Sequence, residues 1–561
     1  MKRKKQKQRS RQTPPPRREL SLDELTQIVE RAKASLTEQE HATLLAAVET
    51  LAFLTQELEA KGTTLERLRR LLFGARTEKT SQVLGDQSAT NQSGGDPASP
   101  GAKGAAAGEA TSEKPKPAGH GRNGAAAYRG AQKVTVPHAS LHAGEKCSSC
   151  LEGKVYPMAE PAVLVRVRGM APLAATVYEC DRLRCNLCGE VFTAEAPPGV
   201  GTEKYDETAA SMIGLLRYGA GLPFNRIAKL ERGFGIPLPA ATQWEVVERA
   251  AGLFAPAHEE LIRQAAQGDV LHNDDTTMKI LELEPADRKE VAAGNAAEER
   301  TGVYTSGIVA VGHGHRIALF FTGPKHAGEN LETVLARRAK DLPPPIQMSD
   351  LLSHNTAGDF ETIQAGCIAH SRRRYVEVVD NFPVECRHVL ETLREVYKHD
   401  ALAKERQLSP EQRLQLHKAQ SGPLMEKLEQ WLREQIEEKK VEPNSGLGEA
   451  IRFMRKHWSR LTLFLRVPGA PLDNNICERA LKMSICHRKN SLFYKTLNGA
   501  HVGDAFMALI HTAELNGVDP FDYLVALQRH HERLADNPGD WMPWTYKDTR
   551  ARLAEDPVPP P

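Results

Sequence analysis

The sequence contains no run of 18 or more apolar residues, so it offers no segment that would cross a bilayer as a helix. No apolar stretch follows its basic N-terminal residues, which argues against a secretory signal. Its nine cysteines are odd in number and do not form the evenly paired set of a disulfide framework. Four of them stand in two C-x-x-C pairs, a pattern that points to a metal site in a reducing compartment. These absences predict a cytoplasmic protein with no membrane partner. Net charge is also small, at +2, but it is unevenly spread. Residues 1–18 carry nine Lys/Arg and no acid, which leaves 65 basic against 72 acidic residues elsewhere. A basic arm on a mildly acidic body is suited to phosphate contacts, although charge alone equally describes a solvated tail.

What is present fits a chain of several globular units. The 561 residues are 40% hydrophobic and 26% charged, enough for roughly three to five domains. After an arm at 1–19, residues 20–82 read as helical. Ser21 with Glu24, Thr37 with Glu40 and Thr63 with Glu66 form three S/T-x-x-E capping boxes. Leu44, Leu51, Leu58, Leu65 and Leu72 recur every seventh residue, as in a dimerising coiled coil, but Gly62 and the Thr63 cap interrupt the seam. An intramolecular helical hairpin explains the pattern as well. Residues 83–132 form a linker poor in large apolar side chains, which predicts disorder.

Residues 133–196 hold the two C-x-x-C pairs, Cys147 with Cys150 and Cys185 with Cys188, separated by 34 residues. Paired thiolates on two tight knuckles make a four-sulfur, closed and therefore structural Zn²⁺ site, which predicts a zinc ribbon. Strand-like alternation at Val163, Val165 and Val167, and from Val177 to Leu183, fits that reading. Residues 197–262 read as a helix-turn-helix with helices over 208–218 and 224–234, a turn at Gly235 and a third helix from about Ala241. Ile227, Leu230 and Phe234 keep helical spacing on the second helix. Gln243, Glu245 and Arg249 are expected to face outward from the third, as on a recognition helix.

The chemistry lies further along. DVLHNDDTTMKILE (269–282) reads as a buried strand interrupted by Asp274 and Asp275. Strands follow at 302–312 and 315–322, then a helix near 326–339 and a short strand, PIQMSD, ending at Asp350. TIQAGCIAH reads as another strand, leading into a helix that opens on Arg372, Arg373 and Arg374. Acids on the first and fourth strands of such an order describe a ribonuclease-H-like core, spanning 266–382 and completed by 469–515. Glu478 supplies a third carboxylate from a helix introduced by Asp473, Asn474 and Asn475, good capping residues. Three acids suffice to hold two Mg²⁺ ions (or Mn²⁺ in their place) about 4 Å apart for phosphodiester chemistry. Asp274 and Asp275 point to opposite faces of a strand, so only one can belong to the site.

Three of these segments carry a resemblance. NDDTTMKIL, GCIAHSRRRY and LDNNICERALKMSICHRKNSLF resemble the signature segments of the DDE transposases of the Insertion Sequence 66 family. LFGARTEKT, the four-cysteine module, the helix-turn-helix and LNGVDPFDYL follow the family's order, so the resemblance spans roughly 40–82 and 135–547. It implies a catalytic, metal-binding triad of Asp274, Asp350 and Glu478. Asp275 stands where the family commonly has Glu, and SDLLSHN where relatives often have Asp-Gly-Tyr. Asp274 and Asp350 are 76 residues apart, but Asp350 and Glu478 are 128 apart. The excess reads as helices over 383–407, 410–440 and 446–464, and the resemblance likewise implies an all-helical insertion, placed at 383–468. A C-terminal extension covers 516–561.

The implied activity is cleavage of DNA at element ends and transfer of the freed 3′-hydroxyl into target DNA. The implied partners are the terminal inverted repeats, target DNA, further copies of the chain and accessory proteins encoded by the same element. Candidate DNA contacts are Gln243, Arg249, His370, Arg372, Arg373, Arg374, Lys482, Arg488 and Lys489, with Arg452, Arg455, Lys456 and Trp458 in the insertion. A binding-only descendant and a structure-specific nuclease of the same fold are the rival readings.

Overall fold

The computed structural model describes residues 28–33, 37–46 and 48, short stretches between 142 and 198, and residues 203–283 and 302–555. The basic arm, the linker, Cys147, Cys150, Cys185, the first and third capping boxes and the leucine seam from Leu51 onward lie outside the described residues. The second box is present. The Thr37 N–H donates to Glu40 Oε2 at 2.9 Å, and the Glu40 N–H donates back to Thr37 Oγ1 at 3.4 Å.

The chain divides into two compact units. The smaller includes the described residues between 142 and 198 together with 228–239. It holds a hairpin in which β1 (Arg182–Arg184) pairs antiparallel with β2 (Val191–Thr193), and an antiparallel bridge between Lys146 and Lys154. The strand expected from Val177 to Leu183 is shorter than its alternation suggested. Pairing ends at Arg182↔Thr193, and Val177 is left 83% exposed. Alternation without a partner strand does not make a sheet.

The larger unit is mixed α/β, mostly helical. From residue 203 onward it begins with α1 (Glu207–Gly214), whose N-cap Asp206 accepts from the Thr208 and Ala209 amides. A π-helical turn over Leu215–Gly219, the start of α2 (Phe224–Gly233, counted with the smaller unit from Ala228 on), α3 (Ala240–Leu253) and α4 (Ala255–Ala265) follow. Gly235, between α2 and α3, has φ +80°, a conformation that a residue without Cβ adopts at no steric cost. Helical spacing on α2 does not become a buried stripe. Ile227 is fully buried, but Leu230 and Phe234 are exposed.

Five strands build the sheet, in the order β5-β4-β3-β6-β7. They are β3 (Val270–Thr277), β4 (Tyr304–Gly312), β5 (His315–Gly323), β6 (Ile346–Ser349) and β7 (Ile363–Gly366). β3, β4 and β5 are antiparallel neighbours, whereas β6 runs parallel to β3 and β7 parallel to β6. β4 and β5 carry the apolar runs GIVAV and IALFF, whereas β3 (VLHNDDTT) is buried over its first four residues and polar beyond them. α5 (Ala327–Leu335) lies on one face, where Asn330 Nδ2 donates to Ser306 Oγ at 2.8 Å. On the other, α11 (Asn475–Ser491) closes on Gly307, where an added Cβ would meet Leu481 at 2.9 Å. α12 (Leu497–Leu515) covers the open edge of β5, where Thr512 Oγ1 accepts from the Ala318 amide.

The segment 362–370 is not wholly strand. β7 stops at Gly366, and α6 (Ile368–Val378) begins two residues later, because the Ile368 amide leaves the sheet to donate to the Leu472 carbonyl. Between α6 and α11 the chain is helical: α7 (Pro383–Glu405), α8 (Pro410–Leu416), α9 (Gly422–Glu437) and α10 (Gly446–Lys456). Ser409 caps α8 in a box with Gln412, and Pro410 occupies the first turn. These helices pack on the sheet through one core that joins Val270, Ile346 and Met348 to Tyr375, Leu393, Leu428 and Ile451. Past α12, Asp519 caps α13 (Pro520–Arg529), and the chain continues to α14 (Tyr546–Glu555). Among the described residues no helix is long and apolar enough to cross a membrane.

Candidate active site

Strand register brings the acids together. Val270, Leu271 and His272 pair with Ile346, Gln347 and Met348, each 76 residues on. Asp274 and Asp350 have that same separation, so they stand side by side where the parallel pairing of β3 with β6 ends. Asp274 faces α11: its cross-strand partner is Gly307, the position on which Cys477 and Leu481 close. Asp275 pairs with Ser306 and faces α5 instead. α11 then delivers Glu478 in its first turn to the Asp274 face.

The electrostatics register this convergence. Burial first, then the charge of Asp350, with smaller contributions from Asp275 and Glu478, push the Asp274 carboxyl up to about 7. The Asp275 amide opposes the shift by donating to Asp274 Oδ1 at 2.8 Å. Asp350 Oδ1 accepts from the Leu352 amide at 3.0 Å and from Asn355 Nδ2 at 2.8 Å. Glu478 lies 3.6 Å from His370 Nδ1 and 3.8 Å from Arg373. Its Oε1 is buried without a hydrogen-bond partner, as is His370 Nδ1.

A polar lattice holds these acids in place. Asn273, Gln347 and Asn355 are fully buried on the far side of the strands. Asn273 Nδ2 and Gln347 Nε2 both donate to the Asn355 carbonyl, at 2.7 and 2.6 Å, fixing the turn that grips Asp350. Asn474 sits at the start of α11, but its side chain does not cap the helix. It donates to the Asn273 carbonyl at 3.0 Å and meets His272 Nδ1 at 3.1 Å, so it fastens the helix that carries Glu478 to β3. Sequence reading treats Asn474 only as a cap and passes over Asn273, Gln347 and Asn355. The available signal is three amides placed at buried strand or turn positions, where an unpaired polar group would be costly.

The other expected contact residues fall in several places. Gln243 does not face outward: it is fully buried, and its Nε2 donates to the Phe224 carbonyl at 3.0 Å. Arg249 is exposed and pairs with Glu203 at 3.0 Å. Arg372 is 9% exposed, Arg373 faces Glu478, and the Arg374 guanidinium lies 4.0 Å from the Phe453 ring centre. His370 lies just beyond the end of β7, in the first turn of α6 and against Glu478. Lys482 and Lys489 are exposed on α11, while Arg488 braces that helix on β3 through Thr276 Oγ1 at 3.0 Å. In the insertion, Arg452 and Lys456 are exposed, Arg455 lies 3.4 Å from Glu437, and Trp458 packs against the core.

Uncharacterized protein y4jD of Sinorhizobium fredii (strain NBRC 101917 / NGR234) is 25% identical over 546 residues, covering 90% of this chain and 98% of that protein. Uncharacterized protein y4hP of the same strain is 26% identical over 361 residues, or 60% of this chain and 61% of its own length. No solved structure matches significantly. A sequence model of the Transposase IS66 family matches residues 204–502, more than half of the chain and the whole span from Asp274 to Glu478, and the chain belongs to that family.

Proposed function

We propose that this protein is a DNA transposase that cuts at element ends and joins the freed 3′-hydroxyl to target DNA, with Asp274, Asp350 and Glu478 as its catalytic carboxylates. The observation that carries the reading is the convergence of three acids from β3, the end of β6 and α11, felt at Asp274 as a carboxyl raised to about 7. Acids crowded closely enough to raise one of them to about 7 suit a divalent metal. Glu478 Oε1, buried without a hydrogen bond at 3.6 Å from His370, points the same way. Asp274, Asp350 and Glu478 would hold two Mg²⁺ ions, or Mn²⁺ ions in their place. When bound, such ions supply activation of the attacking oxygen and charge stabilisation at the leaving oxygen.

The remaining roles belong to this chain's own groups. Asn355 and the Leu352 amide orient Asp350, Asn474 ties the Glu478 helix to β3, and His370 with Arg373 holds the Glu478 carboxylate while no cation is present. The strand order, with three antiparallel strands followed by two parallel ones, supports a ribonuclease-H-like core with the helices of 383–468 inserted before its last element. The antiparallel pairs Lys146↔Lys154 and Arg184↔Val191 flank the two C-x-x-C sequences, which supports a zinc ribbon with Zn²⁺ on Cys147, Cys150, Cys185 and Cys188. With α1–α3 as a helix-turn-helix, that module is the proposed reader of the terminal repeats.

The test uses full-length protein and DNA bearing the repeats that flank its own gene, together with the products of neighbouring genes. Mg²⁺-dependent nicking at the repeat boundary is expected. In Asp274→Ala it should fall by at least about a thousandfold, equivalent to ~4 kcal/mol of barrier, with DNA binding retained. Specific binding without nicking under any of these conditions would favour the binding-only reading, and cleavage of branched DNA regardless of end sequence would favour the nuclease.

A further inference from the structure

On the opposite face of β3 from Asp274, a second set of ligating side chains comes together. Asp275, His326 and His354 each offer one donor atom, and the three atoms lie within 4.8 Å of one another. Asp275 Oδ2 is 2.8 Å from His326 Nδ1, and the His326 and His354 ring centres are 4.6 Å apart. The Tyr304 ring, 4.1 Å from that of His326, flanks the group. Asp275 is 11% and His326 27% exposed at the side chain, whereas His354 is exposed, so the cluster is seated on the protein but open to solvent.

We propose that Asp275, His326 and His354 form a transition-metal site, with Zn²⁺ as its preferred occupant, separate from the carboxylate site for Mg²⁺. Two imidazoles and one carboxylate are borderline donors that suit Zn²⁺, whereas Mg²⁺ favours oxygen ligands. Three protein ligands leave a coordination position for water. The start of α5 opposes a cation here, since the Ala327 amide lies 3.5 Å from Asp275 Oδ2. The Asp275 carboxylate, and that of Glu329, which accepts from the His326 amide at 2.9 Å, offset this field.

The three ligands come from β3, from the residue before α5 and from the turn after Asp350. Asn355, next to His354 in that turn, donates to Asp350. A bound ion would therefore pin the turn to the sheet and steady Asp350 from behind. The inference does not depend on the transposase reading, because metal content is measured without DNA or cleavage.

Full-length protein is stripped with a chelator, re-equilibrated with Zn²⁺ or Co²⁺, freed of excess metal and assayed for metal per chain. Wild type should exceed His326→Ala/His354→Ala by one equivalent. The Co²⁺ lost in the variant should leave the thiolate-to-cobalt charge-transfer band unchanged, which distinguishes this site from the cysteine module. His354→Ala alone, at an exposed position, guards against a folding defect, and circular dichroism checks that both variants are folded. Equal metal content in wild type and folded variants would overturn the proposal, as would a lost equivalent that takes the thiolate band with it.

Discussion

Asp274 on the sheet and Asp400 among the inserted helices are both largely buried, yet their surroundings are opposite. Asp400 is 3% exposed and meets Arg413 at 2.7 Å, Lys404 at 2.7 Å and His417 at 3.4 Å. Despite burial, its hydrogen bond from His417 and the charge of Arg413 hold its carboxyl well below the usual range. Asp274 has Asp350, Asp275 and Glu478 as its charged neighbours and is raised to about 7. The helical region uses its buried acid to join α7 to α8 and the turn after it. The sheet keeps an acid whose charge the fold itself leaves unbalanced. A group that the fold pays to hold is a candidate for function, whereas one that the fold satisfies is a candidate for stability.

Removing the satisfied acid should have the larger effect on stability. Asp400→Ala leaves Arg413 and His417 without their buried partner and should cost about 3 kcal/mol at neutral pH. Because the folded carboxyl is depressed, its stabilisation is present above the ordinary aspartate value and is lost as pH falls through the depressed one. The gap between wild type and variant, measured by urea unfolding, should therefore shrink below about pH 4. A gap independent of pH would mean that packing, and not charge, is what Asp400 contributes.

Removing the unbalanced acid should act with the opposite sign. Asp274 is raised, so in metal-free protein its ionisation costs stability as pH rises from its ordinary value towards 7. Asp274→Asn should match wild type near pH 4 and exceed it by about 2 kcal/mol at pH 8, after discounting for partial solvent access. Asp504, also raised to about 7 by burial, is common to both chains and cancels in the difference. Mg²⁺ should close the gap by stabilising wild type alone. A variant less stable than wild type at pH 8 without metal would show that the carboxylates are already compensated.

The contrast was partly legible in the sequence. Asp274 and Asp350 stood out because apolar strand surrounds them, and a parallel ladder then preserves their 76-residue separation. Ser409-Pro410 announced α8 through capping chemistry that is local and therefore readable. The Asp400 network was not legible, since Arg413 and His417 lie on later helical turns and one acid in a charged helix looks like surface. Gln243 was misplaced for a similar reason. Its amide satisfies a carbonyl on another helix, so a polar side chain occupies an inward position that hydropathy assigns to the outside. The C-terminal end of β7 is not legible, because it depends on the Leu472 carbonyl, about a hundred residues away in sequence.

The smallest effect concerns the turn after Asp350. Leu351 has φ +71°, where L-residues other than glycine are strained and where the resemblance places glycine. Its side chain partly offsets that strain by packing on the core beside Gly366. Leu351→Gly relieves the backbone but loses the packing, whereas Leu351→Ala loses the packing and keeps the strain. Leu351→Ala should therefore be the less stable variant by about 1 kcal/mol, the reverse of the usual Ala–Gly order. Unfolding midpoints of the two variants decide it. If Leu351→Ala were the more stable, the positive φ would not persist without the leucine, and the grip of Leu352 and Asn355 on Asp350 would rest on that side chain instead of on the turn.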